Sequence, residues 1–190
     1  MASVGLSYFA ASAGLRYERK VFSDWPYGLP THQWLLPGST RLSRQQRNLY
    51  YESICQLLDL DLYSELNSGD EQQIAQTIDD AVRSLRSRFR QHPDRGLLTK
   101  HNEDYGFVRN FAGMSLLWFS ASAFAAGISW YLLLKSLTEL AWALVNSAVL
   151  VVASVMAYKR RDMVYQRAER YAESFFSRLT EERSRLAQPD

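Results

Sequence analysis

A chain of 190 residues has room for one modest soluble domain beside a pair of membrane helices. Its 22 basic and 20 acidic residues nearly cancel, which excludes the strong basic surplus of a dedicated nucleic-acid binder. Cys55 is the one cysteine, so no intramolecular disulfide can form, and a reducing compartment is expected.

Residues 1 to 40 carry Tyr8, Phe9, Tyr17, Phe22, Trp25, Tyr27 and Trp34 among Pro26, Pro30 and Pro37. Prolines at this density argue against one long helix, so an irregular segment with a short helix or strand is expected to pack on the helices after residue 43. Ala11-Ser12-Ala13 resembles a signal-cleavage site, but no basic residue precedes Arg16, so a cleaved signal is not expected.

From Ser43 the pattern is helical. Ser43 with Gln46 fits a capping box, and Leu49/Tyr50, Ile54, Leu57/Leu58 and Leu62 recur at helical spacing. Ser68 with Glu71 fits a second box, ahead of a stripe of Ile74, Ile78, Val82, Leu85 and Phe89. Acids (Asp70, Glu71, Asp79, Asp80) precede arginines (Arg83, Arg86, Arg88, Arg90) along that helix, an order that complements the helix dipole. His92-Pro93 is expected to end it, and residues 93 to 104 read as a polar linker.

The runs Asn110–Leu134 and Leu140–Tyr158 contain no charged residue. Each is long enough to cross a hydrocarbon core about 30 Å thick. With Lys135-Ser-Leu-Thr-Glu139 between them, they predict a transmembrane helical hairpin. Arg109, Lys159, Arg160 and Arg161 flank the runs, against Lys135 alone in the loop, so both termini are expected on the cytoplasmic side. Val164, Ala168, Tyr171, Phe175 and Leu179 then keep helical spacing beyond the second span. The predicted fold class is mainly α. Residues 1–104 form an N-terminal cytoplasmic helical domain, residues 105–158 the hairpin (spans about 110–134 and 140–158), and residues 159–190 a C-terminal cytoplasmic helix.

Chemistry-bearing patterns are few. Ser115, Ser122 and Ser129 share nearly one face of the first span; Asn146, Ser147 and Ser154 lie in the second. Small and hydroxylated residues either pack membrane helices against each other or line an aqueous path in an oligomer, and packing is the preferred reading. Neither span holds an acidic or basic residue, which counts against a pump or coupled transporter. Trp130, Tyr131 and Tyr158 near the span ends suit an interfacial belt. Arg86/His92 and Arg95/His101 have the spacing of HEPN-type ribonucleases, a permissive pattern in a chain rich in arginine. No phosphate-binding glycine loop, nucleophile elbow or Cys/His metal pattern is present, so no cofactor, metal or catalytic residue is expected.

Asn102, Tyr105, Gly106, Phe107, Arg109 and Asn110 make up an N-x-x-YGF-x-RN element that resembles one found in a group of uncharacterised bacterial two-span proteins. Thr40-Arg41-Leu42-Ser43-Arg44 resembles that group's T-R-L-x-R element. In architecture the chain is also similar to SLATT-type two-span defence effectors. That resemblance implies the bacterial inner membrane, a homo-oligomer, and a pore that halts growth of a phage-infected cell. The leading expectation is therefore a non-enzymatic effector that permeabilises or depolarises the membrane on a signal from a ligand or a cytoplasmic partner encoded nearby. A membrane-anchored scaffold or adaptor is the alternative, and a membrane-tethered HEPN-like ribonuclease a second. The lipid bilayer is the expected partner, with no direct nucleic-acid binding outside the ribonuclease reading.

Overall fold

Helix formation begins earlier than the prolines suggest. The computed structural model describes residues 2–24, 26–68, 70–91 and 96–186. Its first element is α1 (Ala2–Val21), an alanine-rich stretch that ends before the earliest proline. The irregularity expected of residues 1 to 40 is confined to the part after Val21, where α2 (Pro30–Gln33) starts on a proline suited to a first helical turn.

α3 (Arg44–Leu58) opens as its sequence predicts, with Ser43 Oγ accepting from Gln46 N at 3.1 Å. It stops short of Leu62 because Asp59 adopts a left-handed conformation (φ 55°), its N–H bonded to Cys55 O at 2.9 Å. Leu62 instead begins α4 (Leu62–Ser68), and Asp61 Oδ1 accepts from Tyr63 N at 3.0 Å there. α5 (Glu71–Gln91) is capped by Asp70, whose Oδ1 accepts from Gln73 N at 2.7 Å; Ser68, the expected cap, ends α4, and its side chain lies outside the described residues. The linker expected at 93–104 is helical where the structure describes it: α6 runs Gly96–Gly113. His92, Pro93 and Arg95 lie outside the described residues.

The uncharged run from Asn110 is divided. Met114 (φ −92°, ψ 0°) separates α6 from α7 (Ser115–Leu134). At 20 residues and 1.5 Å each, α7 is about 30 Å long. A Schellman turn ends it: Leu137 N bonds Leu132 O and Ser136 N bonds Leu133 O, both at 2.9 Å, with Ser136 at φ 56°. α8 then extends Leu140–Leu186 without a break. The chain is mainly α, with no strand among the described residues, and α7 and α8 are long and apolar enough to cross a membrane.

Two compact units emerge; they divide between Tyr105 and Gly106, next to the boundary expected at residue 104, and again after Val21 and after Tyr165. One joins Met1–Val21 to Gly106–Tyr165; the other joins Phe22–Tyr105 to Gln166–Asp190. In the second unit Phe175 and Phe176 of α8 are fully buried. Trp34 and Tyr50 stack on Phe176 at 5.5 and 4.6 Å between centroids, and Phe89 meets Phe175 edge-on at 5.3 Å. Ile78, Val82 and Leu85 of the predicted α5 stripe are buried in the same core, as are Tyr171 and Leu179 of the α8 stripe. In the first unit α1 joins because two glycines let backbones touch. A Cβ on Gly113 would lie 2.6 Å from Ala13 O, and one on Gly14 would lie 2.8 Å from Asn110 Cα.

Candidate functional site

The polar residues of the two apolar helices meet one another. α7 and α8 run antiparallel in a register that sets Ser115 against Arg160 and Ser129 against Asn146. Asn146 Nδ2 donates to Ser129 Oγ at 2.7 Å, and Ser129 Oγ donates to Ala125 O at 2.9 Å. One residue on along each helix, Trp130 Nε1 donates to Ser147 Oγ at 2.9 Å, while Ser147 donates to Ala143 O at 2.8 Å. Ser154 donates to Leu150 O at 2.7 Å on its own helix. The same register brings the half-buried Ser122 level with the half-buried Ser154. Ala126 and Ala143, both buried, supply the close approach that these bonds need.

The outward faces are different. From Leu116 to Met156 the exposed side chains are almost all apolar, among them Leu117, Phe124, Leu144, Val149, Val152 and Val155. A helix pair with its polar groups bonded inward and its hydrocarbon outward suits a solvent without hydrogen bonds. In water that surface would be a large aggregation liability.

At one end of the pair the basic residues gather. Arg160 NH1 donates to buried Ser115 at 3.1 Å, and its guanidinium lies over the Tyr17 ring at 4.9 Å. Lys159 and Arg161 on either side are exposed. Arg109 meets the buried Glu18 of α1 at 3.5 Å and also donates to Asn110 Oδ1 at 3.3 Å. Ser115 thus lies at this basic end of the helix pair. The sequence pattern missed both Arg160–Ser115 and Trp130–Ser147. Each emerges once the helices are paired in register, which the spacing of one helix alone does not specify.

The N-x-x-YGF-x-RN element lies along α6, and its residues face different neighbours. Tyr105 is buried and stacks on Tyr171 at 6.2 Å in the second unit. In the first unit Phe107 is exposed beside Phe111, Arg109 and Asn110 meet α1, and Gly106 has open space where a Cβ would go. Asn102 borders a cavity of about 110 Å³ with Arg86, Arg90 and Tyr171. No protein family, curated protein or solved structure matches this chain.

Two polar clusters in the second unit bear on the enzymatic alternative. A cavity of about 410 Å³ is lined by His101, Thr99, Glu173, Ser177 and Arg178, among others. His101 Nδ1 bonds Ser174 Oγ, whose hydroxyl donates to Arg170 O at 3.0 Å, so Nδ1 is the donor in that bond. Arg86, the arginine paired by spacing with His92, donates to Thr31 Oγ1 at 3.2 Å and lies over the Tyr171 ring at 5.6 Å. Those contacts hold α5 to its neighbours.

The other cluster is a buried relay. Arg86 donates to Thr31, Thr31 Oγ1 to His32 Nδ1 at 3.2 Å, and His32 Nε2 to Asp79 Oδ1 at 3.0 Å. Asp79 also accepts from Arg83 at 2.6 Å. Because a carboxylate only accepts, Nε2 carries the proton and Nδ1 is left as an acceptor, which is the neutral imidazole. Burial pushes the His32 pKa down to about 4, with Arg86 and Arg83 acting in the same direction and Asp79 opposing them. The relay is a fixed polar strut that joins the α2 segment to α5.

Proposed function

We propose that this chain is a membrane-anchored helical module whose α7–α8 hairpin tethers the second unit to a bilayer. Both ends of the chain then face the cytoplasm, because Arg109, Lys159, Arg160 and Arg161 gather at the far end from the loop. The second unit acts as scaffold or adaptor for a cytoplasmic partner. The observation that carries this reading is the inward pairing of Ser129 with Asn146 and Ser147 with Trp130 under an apolar exterior. Anchoring needs nothing more of the hairpin. A permeabilising pore would require these groups to exchange their partners in the hairpin for water.

The test expresses the full-length chain in bacteria and tracks membrane fractionation, membrane potential and dye entry. Resistance to alkaline carbonate extraction with an unchanged potential supports the anchor. Extraction into the soluble fraction refutes membrane insertion. Depolarisation abolished by Asn146→Leu refutes the anchor and favours the permeabilising effector.

A further inference from the structure

We propose that the N-terminal half of α1, residues 2 to 13, inserts into the cytoplasmic leaflet beside the hairpin as a half-membrane helix. The inference rests on the reading of α7 and α8 as membrane-spanning. Its first support is direction. Gly14 abuts Asn110, Gly113 abuts Ala13, and Glu18 reaches back to Arg109, so α1 runs antiparallel to the end of α6. Moving toward the α1 N-terminus therefore tracks the chain from α6 into the start of α7. Tyr17 under Arg160 fixes the crossing at the basic end of the hairpin.

The second support is what happens beyond the crossing. Gly14 is buried and residues 10 to 13 are half-buried, but Gly5, Leu6, Ser7, Tyr8 and Phe9 are all exposed. Leu6, Tyr8 and Phe9 are 58%, 79% and 57% exposed; at 100° per residue Leu6 and Phe9 share one face and Tyr8 points to nearly the opposite side from Leu6, so exposed rings and aliphatic groups occupy more than one stripe of the helix. A protein groove takes one apolar stripe of a helix, whereas lipid accepts apolar side chains all round. The third support is charge. No charged residue precedes Arg16, while Arg16, Arg19 and Lys20 come directly after it, on the part of α1 that reaches Arg109 and Arg160. Uncharged helix on one side of a basic collar is the arrangement that hydrocarbon and anionic headgroups favour together. Residues 2 to 13 span about 18 Å at 1.5 Å each, a little over half of a core about 30 Å thick.

The experiment uses the full chain with Cys55→Ser, reconstituted in vesicles of phosphatidylethanolamine and phosphatidylglycerol. Phe9→Cys, and separately Tyr8→Cys, carries an environment-sensitive fluorophore; Val149→Cys reports on the hairpin. These positions are exposed, so the substitutions leave the packing intact. Quenching of the Phe9 and Tyr8 probes by acyl-chain nitroxides, with little quenching by aqueous iodide, is the expected result. Quenching at Val149 alone, with Phe9 open to iodide, overturns the inference and leaves the anchor standing. Phe9 shielded from both quenchers assigns the segment to a protein contact and also overturns it. No nitroxide quenching at Val149 removes the anchor reading itself.

Discussion

His32 offers a pH signature that the relay around it fixes in sign and size. Its folded-state pKa is about 4, against 6.5 for the free side chain. Between those values the unfolded chain binds a proton that the folded chain does not. The contribution of neutral His32 is therefore fully present above about pH 6.5 and is lost as pH falls toward 4. At 1.36 kcal/mol per unit, the lowering amounts to a loss of about 3 kcal/mol across that window. Protonation would also place a second donor on Nδ1, where Thr31 already accepts from Arg86 and donates to the ring. His32→Gln keeps a polar side chain but does not titrate. Unfolding free energies of both proteins in detergent, measured from about pH 7.5 to pH 4.5, cancel the carboxylates common to both. The wild-type advantage should narrow steadily as pH falls, with a steepest slope near 1.4 kcal/mol per pH unit. A difference that stays flat across the range would refute the argument, as would an imidazole that titrates near 6.5 by NMR.

Further outcomes test the packing. Gly113→Ala puts a methyl carbon within 2.6 Å of the α1 backbone, so α1 must move at a cost of about 1–3 kcal/mol, read as a lower Tm and faster proteolysis of α1. Gly106→Ala in the same helix has open space and should raise stability by up to about 1 kcal/mol. In the hairpin, a double-mutant cycle of Ser129→Ala and Asn146→Leu should return a coupling of roughly 0.6 kcal/mol in micelles, since polar contacts between membrane helices are individually modest. Ser43→Ala should cost about 1 kcal/mol by removing the α3 cap, measured by denaturant unfolding.

Legibility in the sequence tracks the range of each interaction. The Ser43 cap is local, and so are the periodic stripes of α5 and α8, where every turn repeats the same burial. The α3 break at Asp59 is hidden because Leu62 falls at a helical spacing from Leu58 whether or not the helix continues. The α5 cap falls to Asp70, because α4 runs to Ser68 and α5 begins only at Glu71. α1 is obscured because prolines at 26, 30 and 37 restrict only their own neighbourhoods, while a composition taken over 40 residues spreads their effect to the whole segment. Its membership of the first unit depends on Gly14 meeting Asn110 and Gly113 meeting Ala13, contacts between segments far apart in the chain that no window of sequence can register.

In the serine stripe, helical periodicity places residues on one face and leaves their role open. Ser115, Ser122 and Ser129 share a face of α7, and that face turns toward α8. A pore needs the same face turned toward water. Periodicity yields an angle around one helix, while a role needs the identity of the neighbour. Here the neighbour supplies Asn146 and Arg160 at matching heights, so both partners leave few polar atoms for lipid or for a second copy. Any assembly of these hairpins would therefore be held by apolar packing of surfaces such as Val149, Val152 and Val155, or by the second unit. Such packing carries little orientation of its own in a lipid solvent, where apolar side chains gain nothing by leaving hydrocarbon for hydrocarbon. The geometry of any oligomer is then set outside the bilayer, and truncations there should change stoichiometry before any change within α7 does.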